Sequence, residues 1–231
     1  MTYKIPTILP PENGRRIAIG DIHGCLKTYQ QLIKTIDLQP TDQLFLLGDL
    51  IDKGLDSQGV IDYTMQLIKD GYQVFPIKGN HEQSFLMAYQ CGIDFFEEYL
   101  EKNNADDFFS DKLYEYLDFF DNLEYCYDLG DFMVSHTEFL IHEKSLYRGM
   151  NGLFPRVVFD FETEILEKKT QIVGHAVKTL DFIEKNVKER QKILYLDNGC
   201  VHKDNEGLGH LVALNLNNWE LIVQKNIDSN H

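Results

Sequence analysis

Gly20-Asp21-Ile22-His23-Gly24, Gly48-Asp49-Leu50-Ile51-Asp52-Lys53-Gly54 and Gly79-Asn80-His81-Glu82 are the stretches on which the reading of this chain turns. Each follows an apolar, β-branched run that reads as a strand, at residues 17–19, 44–47 and 74–77. Between them, residues 25–36 and 57–70 carry apolar residues at helical spacing: Leu26, Tyr29, Leu32, Ile33 and Ile36 in the first, Val60, Ile61, Met65 and Ile68 in the second. Strand–helix–strand–helix–strand with connections of this length implies right-handed parallel crossovers. All three motifs then lie at carboxyl ends of strands, where open α/β sheets bind ligands. Asp, His and Asn gathered at one sheet edge, beside glycines, form the oxygen and imidazole set that a pair of divalent metals takes.

The second half repeats the arrangement. Residues 132–135 lead to His136, residues 171–173 to Gly174-His175, and residues 193–196 to Asp197-Asn198-Gly199. Residues 210–216 and 219–224, with Asn217-Asn218 between them, read as a hairpin. Residues 91–125 break the rhythm: an acidic, aromatic stretch (Phe95, Phe96, Tyr99, Phe108, Phe109, Tyr114, Tyr116, Phe119, Phe120) that reads as two or three short helices. It is either a helical pack against the sheet or a cap that shapes substrate access. Residues 1–14 are a polar lead with Pro6, Pro10 and Pro11 and are expected to be irregular. The expected organisation is one α/β domain over residues 15–231, built from two sheets with helices outside and carrying the helical insert.

With 231 residues and 43% apolar content the chain can bury a full core. A net charge of −15 argues against binding nucleic acid or an anionic membrane through a basic face. It also means that an anionic substrate must be drawn in locally, which a pair of divalent cations would do. Cys25, Cys91, Cys126 and Cys200 show no CxxC spacing and read as free thiols. Residues 1–16 lack the apolar core of a signal peptide, and no apolar run approaches a membrane span. The expectation is a cytoplasmic protein.

Five strand-end sites recur in order: Asp21 with His23, Asp49, Asn80, His136 and His175. One Asp-x-His would mean little; the series points to phosphoester hydrolysis. That reaction needs a nucleophile at neutral pH, charge neutralisation on the phosphoryl oxygens and a proton for the leaving alkoxide. Two metals about 3.5–4 Å apart supply the first two, through a shared water that ionises near neutrality. Asp49, in the central motif, is the candidate to bridge them. His81 is the candidate general acid, with Asp52 holding its ring and raising its basicity.

GDIHG, GDLIDKG and GNHE, followed by VSH, VGH and YLDNGC, resemble the metal-dependent phosphoprotein phosphatase branch of the calcineurin-like metallophosphoesterases, in its bacterial and phage form. The resemblance runs from about residue 15 to about residue 214. It implies a calcineurin-like β-sandwich of two mixed sheets flanked by helices, four layers in all. It implies that Asp21 and His23 bind one metal, that Asp49 bridges, that Asn80, His136 and His175 bind the second, and that His81 and Asp52 form the acid pair. Manganese is the expected metal, with iron or zinc as alternatives. The family also uses two arginines on the phosphate. Lys53 stands in the place of the first and lacks its planar two-point grip, so weaker phosphate binding is expected. Arg156 is chosen for the second, with Arg148 competing.

Other positions depart from the family pattern. Thr137-Glu138 follows His136, and Glu138 is either a surface carboxylate or a neighbour of the second metal. Asp197-Asn198-Gly199 replaces Asp-Thr-Gly and reads as a turn closing the second sheet near the site. Cys25 reads as a packed small residue. The leading functional expectation is a serine/threonine protein phosphatase-like phosphomonoesterase acting on a phosphoprotein or small phosphoester. The alternative is a symmetrical diadenosine-tetraphosphate hydrolase, a sister group that tends to have Ala in place of Asp52 and Asp in place of Glu82. A non-enzymatic metal-binding regulatory pseudo-phosphatase is the third reading.

Overall fold

The computed structural model describes residues 2–108, 110–140, 145–146, 158–159 and 163–229. The chain opens on β1 (Thr2–Tyr3), then runs through β2 (Arg16–Ile19), α1 (Leu26–Ile36), β3 (Gln43–Leu46), α2 (Ser57–Lys69) and β4 (Gln73–Pro76). β2, β3 and β4 pair in parallel, Ile17 opposite Leu44 and Leu44 opposite Val74. The two-residue period of a strand divides the core. Ile17, Ile19, Leu44 and Leu46 join Tyr29, Leu32, Val60 and Ile61 beneath the helices. Ala18, Phe45 and Leu47 face the other way, into the space between two sheets. The helices begin and end where expected to within a residue, because each carries its apolar stripe only that far.

Most of the lead is irregular, as expected, but it is tied to the sheets. β1 pairs with a later strand, Thr7 bridges Asp128, and Pro6 O and Ile8 N each bond Asp128 at 2.9 Å. Proline removes a donor but leaves its carbonyl, so a proline-containing segment can still lie along a sheet edge.

α3 (Asn80–Gln90), α4 (Ile93–Asn103), a 3₁₀ turn (Asp106–Phe108) and α5 (Leu113–Asp121) form the helical stretch. Phe85 of α3 is its hub, with Phe96, Phe108 and Phe120 all edge-on at 4.9–5.1 Å. Phe109 lies outside the described residues.

The second sheet comprises β5 (Cys126–Asp128) and β6 (Phe132–Ser135), then, after β7 (Phe139–Leu140), β8 (Ser145–Leu146), β9 (Val158–Phe159) and α6 (Thr163–Lys168), β10 (Thr170–Val173), α7 (Leu180–Lys188) and β11 (Ile193–Tyr195). Its order is β11-β10-β6-β5, parallel except for β5. β12 (His210–Asn215) and β13 (Glu220–Lys225) form the expected hairpin and complete the first sheet as β13-β12-β2-β3-β4. Val134, Ile172, Leu194 and Leu196 meet Ala18, Phe45 and Leu47 between the sheets. The architecture is therefore an α/β sandwich of two mixed sheets flanked by helices. Short pieces in the order β1-β9-β8-β7 make a small further sheet. Among the described residues no helix is long and apolar enough to cross a membrane.

Candidate metal centre and catalytic site

The carboxyl ends of β2, β3, β4, β6 and β10 meet at one edge of the sandwich, and the loops leaving them are unusually constrained. His23, Asp49, Asp52, Lys53 and His175 all adopt left-handed backbone conformations, with φ of 47°, 50°, 71°, 66° and 61°. None is glycine, and such conformations persist only where surrounding contacts fix them. Two glycines permit close approach to the carboxylates. A Cβ on Gly79 would lie 2.2 Å from Asp49 Oδ1, and one on Gly174 would lie 2.1 Å from Asp21 Oδ1.

Asp49 sits at the centre, 2% exposed. Side-chain atoms of His23, Asp49 and His81 lie within 4.8 Å of one another, as do those of Asp49, His136 and His175, so two potential metal-holding triads share one carboxylate. His136 Nε2 is 3.3 Å from Asp49 Oδ1 and 3.0 Å from Asn80 Oδ1, which brings the amide into the second triad. Asp21 lies outside both triads. It accepts the His175 amide hydrogen at 3.0 Å and stands close enough to Asp49 and Asp197 to feel both charges.

Tautomers follow from the acceptors behind the rings. His23 Nδ1 faces Ile51 O at 2.9 Å and His136 Nδ1 faces Leu47 O at 2.8 Å. A carbonyl only accepts, so Nδ1 carries the hydrogen and Nε2 presents its lone pair to the cluster. Burial pushes His23 down to about 3 and His136 down to about 4, and it lowers His175 as well. These rings are neutral donors. Burial works against the Asp49 carboxylate, yet the rings of His136, His81 and His23 hold its pKa below the ordinary value. Burial, reinforced by Asp197 and Asp49, pushes Asp21 well up, and burial raises Asp197 to about 6. Three buried carboxylates beside neutral imidazoles form an oxygen and nitrogen donor set suited to divalent cations, whose charge the carboxylates need in order to stay ionised.

His81 is placed differently. Its Nδ1 meets Asp52 Oδ2 at 2.6 Å, and its Nε2 points to Asp49 Oδ2 at 3.8 Å. Burial lowers its pKa, but Asp49 and the bond to Asp52 outweigh that and raise it. Lys53 is exposed, and its Nζ lies 2.9 Å from His23 Nε2. An ammonium only donates, so this contact uses the same lone pair that a metal would take. Arg148 and Arg156 lie outside the described residues. Glu138 bonds Tyr195 Oη at 2.8 Å. Asp197 is more than a turn: Gly199 N donates to its Oδ1 at 2.7 Å, and the residue lines the cavity over the cluster.

Two residues had no assigned part in the sequence reading. Glu82, fully buried, accepts the backbone hydrogens of Asp49, Leu50 and Gly79 at 2.7–3.0 Å and so ties the second motif to the third. Its position three residues after Gly79, at a helix start, is the signal that could have found it. Burial and Asp49 push its carboxyl up to about 7. The hydroxyl of Tyr99, on α4, bonds Asp52 Oδ2.

The cavity over the cluster measures about 100 Å³ and is lined by His23, Asp49, Asn80, His81, His175 and Asp197 among others. It shares Lys53 and Val201 with a larger neighbour of about 470 Å³ that also holds Leu55 and Lys203. Lys203 Nζ is anchored on Asp228 O at 3.0 Å. The Asp228 carboxylate faces elsewhere, capping the start of α1 through Lys27 N and Thr28 N at 3.0 Å each. The larger cavity thus presents two ammonium groups and one carboxylate that is already engaged.

Residues 14–214 match the family model for the calcineurin-like phosphoesterases. A symmetrical bis(5'-nucleosyl)-tetraphosphatase of Acidovorax sp. (strain JS42) is 39% identical over 71 residues, 30% of this chain and 24% of that protein. The protein of the same description from Dechloromonas aromatica (strain RCB) is 31% identical over 130 residues, 53% of this chain and 43% of its own. The chain thus spans between about a quarter and a half of the length of these curated relatives. A solved structure described as a candidate diadenosine tetraphosphatase superposes with a TM-score of 0.65 at 19% identity, covering 97% of this chain and 99% of its own. A protein serine/threonine phosphatase from Saccharomyces cerevisiae superposes with a TM-score of 0.63 at 14% identity, covering 98% and 84%. At these identities the superpositions speak to the fold alone.

Proposed function

The chain belongs to the calcineurin-like phosphoesterase family, and from that premise we propose that it is a dinuclear-metal phosphoesterase that hydrolyses small nucleotide polyphosphates, dinucleoside tetraphosphates first among them. The observation that carries this reading is the sharing of Asp49 between two largely buried triads. In it, Asp21 and His23 would hold one divalent cation, Asn80, His136 and His175 would hold the other, and Asp49 would serve both. Bound there, the cations supply positive charge to the phosphoryl oxygens and acidify water, and manganese suits the donor set. This chain's own residues do the rest. His23 and His136 are kept neutral, with Nδ1 bonded to backbone, so their lone pairs are committed. His81, whose pKa is raised by Asp49 and Asp52, gives a proton from Nε2 to the leaving oxygen. Lys53, whose Nζ lies 2.9 Å from His23 Nε2, would offer its ammonium to the phosphate once that lone pair is committed to a cation.

The substrate class draws support from the relatives' printed activity and from the cavity beside the site. A phosphate chain seated over Asp49 can continue past Lys53 toward Lys203, and a monophosphate has no use for the second lysine. A second reading, a phosphoprotein phosphatase, is favoured by one observation: Asp52 is present and seated on His81, alongside Glu82, the pairing that the resemblance associates with that branch. The test is hydrolysis of p-nitrophenyl phosphate, diadenosine tetraphosphate and a phosphothreonine peptide by the manganese-loaded protein. The proposal expects the dinucleotide to give the highest kcat/KM and to yield two nucleoside diphosphates. It also expects Lys203→Ala to raise KM for the dinucleotide by about fivefold while sparing p-nitrophenyl phosphate. A peptide turned over faster than the dinucleotide, with no effect of Lys203→Ala, would establish the second reading.

A further inference from the structure

The end of α4 grips the second motif at three points. Lys53 N donates to Asn103 O at 2.8 Å, the Asn104 side chain donates to Gly54 O, and the Tyr99 hydroxyl reaches Asp52 Oδ2. Just beyond, Gln58 N donates to Asp107 Oδ2 at 2.7 Å. Between these bonds lie Asp52 and Lys53, two successive non-glycine residues in left-handed conformation. The loop closes partly on itself, Asp52 N donating to Ser57 Oγ at 2.9 Å and Gly54 N to Asp52 O at 2.7 Å, and the helical insert adds the outer contacts that help to fix it. Within the insert, Asn103 Nδ2 donates to Tyr99 O at 2.7 Å, so the gripping residues are themselves tied together.

The Tyr99 hydroxyl faces both partners of the acid pair. Besides Asp52 Oδ2, it lies 3.1 Å from His81 O. Burial and Asp52 raise its pKa far above the ordinary phenol value, so it remains a donor. Asp52 is fully buried, and its other oxygen, Oδ1, has no hydrogen-bond partner among the described residues. The hydrogen bonds that orient this carboxylate among the described residues therefore act on Oδ2, where His81 Nδ1 and Tyr99 Oη meet. Without the hydroxyl, one bond to a ring would have to set both the carboxylate and the ring.

We propose that Tyr99 is a positioning residue for proton transfer: its hydroxyl fixes the Asp52 oxygen that aims His81, so the helical insert sets the geometry of the acid pair in addition to covering the sheet. The inference rests on the reading of His81 as proton donor. Its chemical signature is selective. A well-placed acid matters most when the leaving oxygen is basic and little when it departs as a stable anion.

The experiment compares Tyr99→Phe, His81→Asn and the double variant on p-nitrophenyl phosphate and on an alkyl phosphate, with bound manganese and thermal melting recorded for each. Tyr99→Phe keeps the ring beside Phe85, whose centroid is 6.1 Å away. The expected result is a fall in kcat of about tenfold on the alkyl phosphate, at least about fivefold more than on p-nitrophenyl phosphate, with the loss in kcat and not in KM. In the His81→Asn background the tyrosine change should add nothing, because the two act as one unit. An equal loss on both substrates, or full additivity with His81→Asn, overturns the proposal. Were His81→Asn itself to show no leaving-group selectivity, the proton-donor reading would fall instead, and the two failures are thereby told apart.

Discussion

Four histidines face Asp49, and they fall into two groups. His23 and His136 set Nδ1 against the backbone carbonyls of Ile51 and Leu47, and burial drives both well below the ordinary imidazole range. His175 is lowered by burial as well. His81 is also largely buried, and burial lowers it too, yet Asp49 and Asp52 carry it above the ordinary value. The rings differ in what stands behind them. A carbonyl fixes the tautomer while burial keeps the ring neutral, with a lone pair to give. A carboxylate fixes the same tautomer and stabilises the charge, so the ring has a proton to give. One residue type takes two roles here, set by burial for His23, His136 and His175 and, for His81, by Asp49 together with the carboxylate of Asp52.

Asp49→Asn should break the comparison at its root, since all four rings feel its charge. The expected loss of activity is roughly a thousandfold, above the roughly 10- to 100-fold typical when only a residue behind a ligand is removed. Metal analysis of the purified variant should show both ions depleted. Loss of one ion alone would show that the carboxylate serves a single cation.

His81→Asn asks whether the two groups are truly separate, because His81 lies in one of the triads with His23 and Asp49. The expected outcome is retention of both ions with about a hundredfold fall in kcat on poor leaving groups. A drop in bound metal would move His81 into the ligand group.

Asp52→Asn tests the cause of the division. The acid form of His81 is the working form, so activity falls as pH rises through its pKa. Besides Asp52, the ring faces Asp49, Lys53 and His23, of which the two carboxylates raise its pKa and Lys53 lowers it. Removing the Asp52 charge should shift the alkaline limb of the kcat profile to lower pH, with a loss of about tenfold at neutrality. An unmoved limb would assign the charge on His81 to Asp49 alone.

Much of this was legible in the sequence because the motif residues are local. Strand, glycine and ligand follow one another, so the edge where Asp21, Asp49 and Asn80 gather could be read from period and spacing, and the parallel order β2-β3-β4 came with it. Tyr99 was not legible in that way. It is one aromatic among many in residues 91–125, and nothing in its neighbours separates it from Phe96 or Phe108, which serve only packing. Its part depends on a contact with Asp52, 47 residues away, that exists only once α4 is laid against the second motif. The ordering of the lead by Asp128 has the same origin: a partner distant in sequence and invisible to local pattern.

Lys53→Arg is expected to have the smallest effect and to sharpen the comparison most. Lys53 Nζ sits 2.9 Å from His23 Nε2, on the very lone pair that marks His23 as a ligand. A guanidinium is planar, more weakly hydrated and able to grip two phosphate oxygens at once. Should lysine be a handicap, the arginine variant will lower KM by about threefold, within the range of an exposed ion pair. Should the loop instead have adapted to lysine, KM will rise. The left-handed backbone at Asp52 and Lys53, held by Asn103, aims the side chain in a fixed direction, and a longer, rigid fork so aimed would press on the His23 ring. The direction of the change therefore tells whether the ligand histidines and their neighbouring cation are independent parts or one fitted unit.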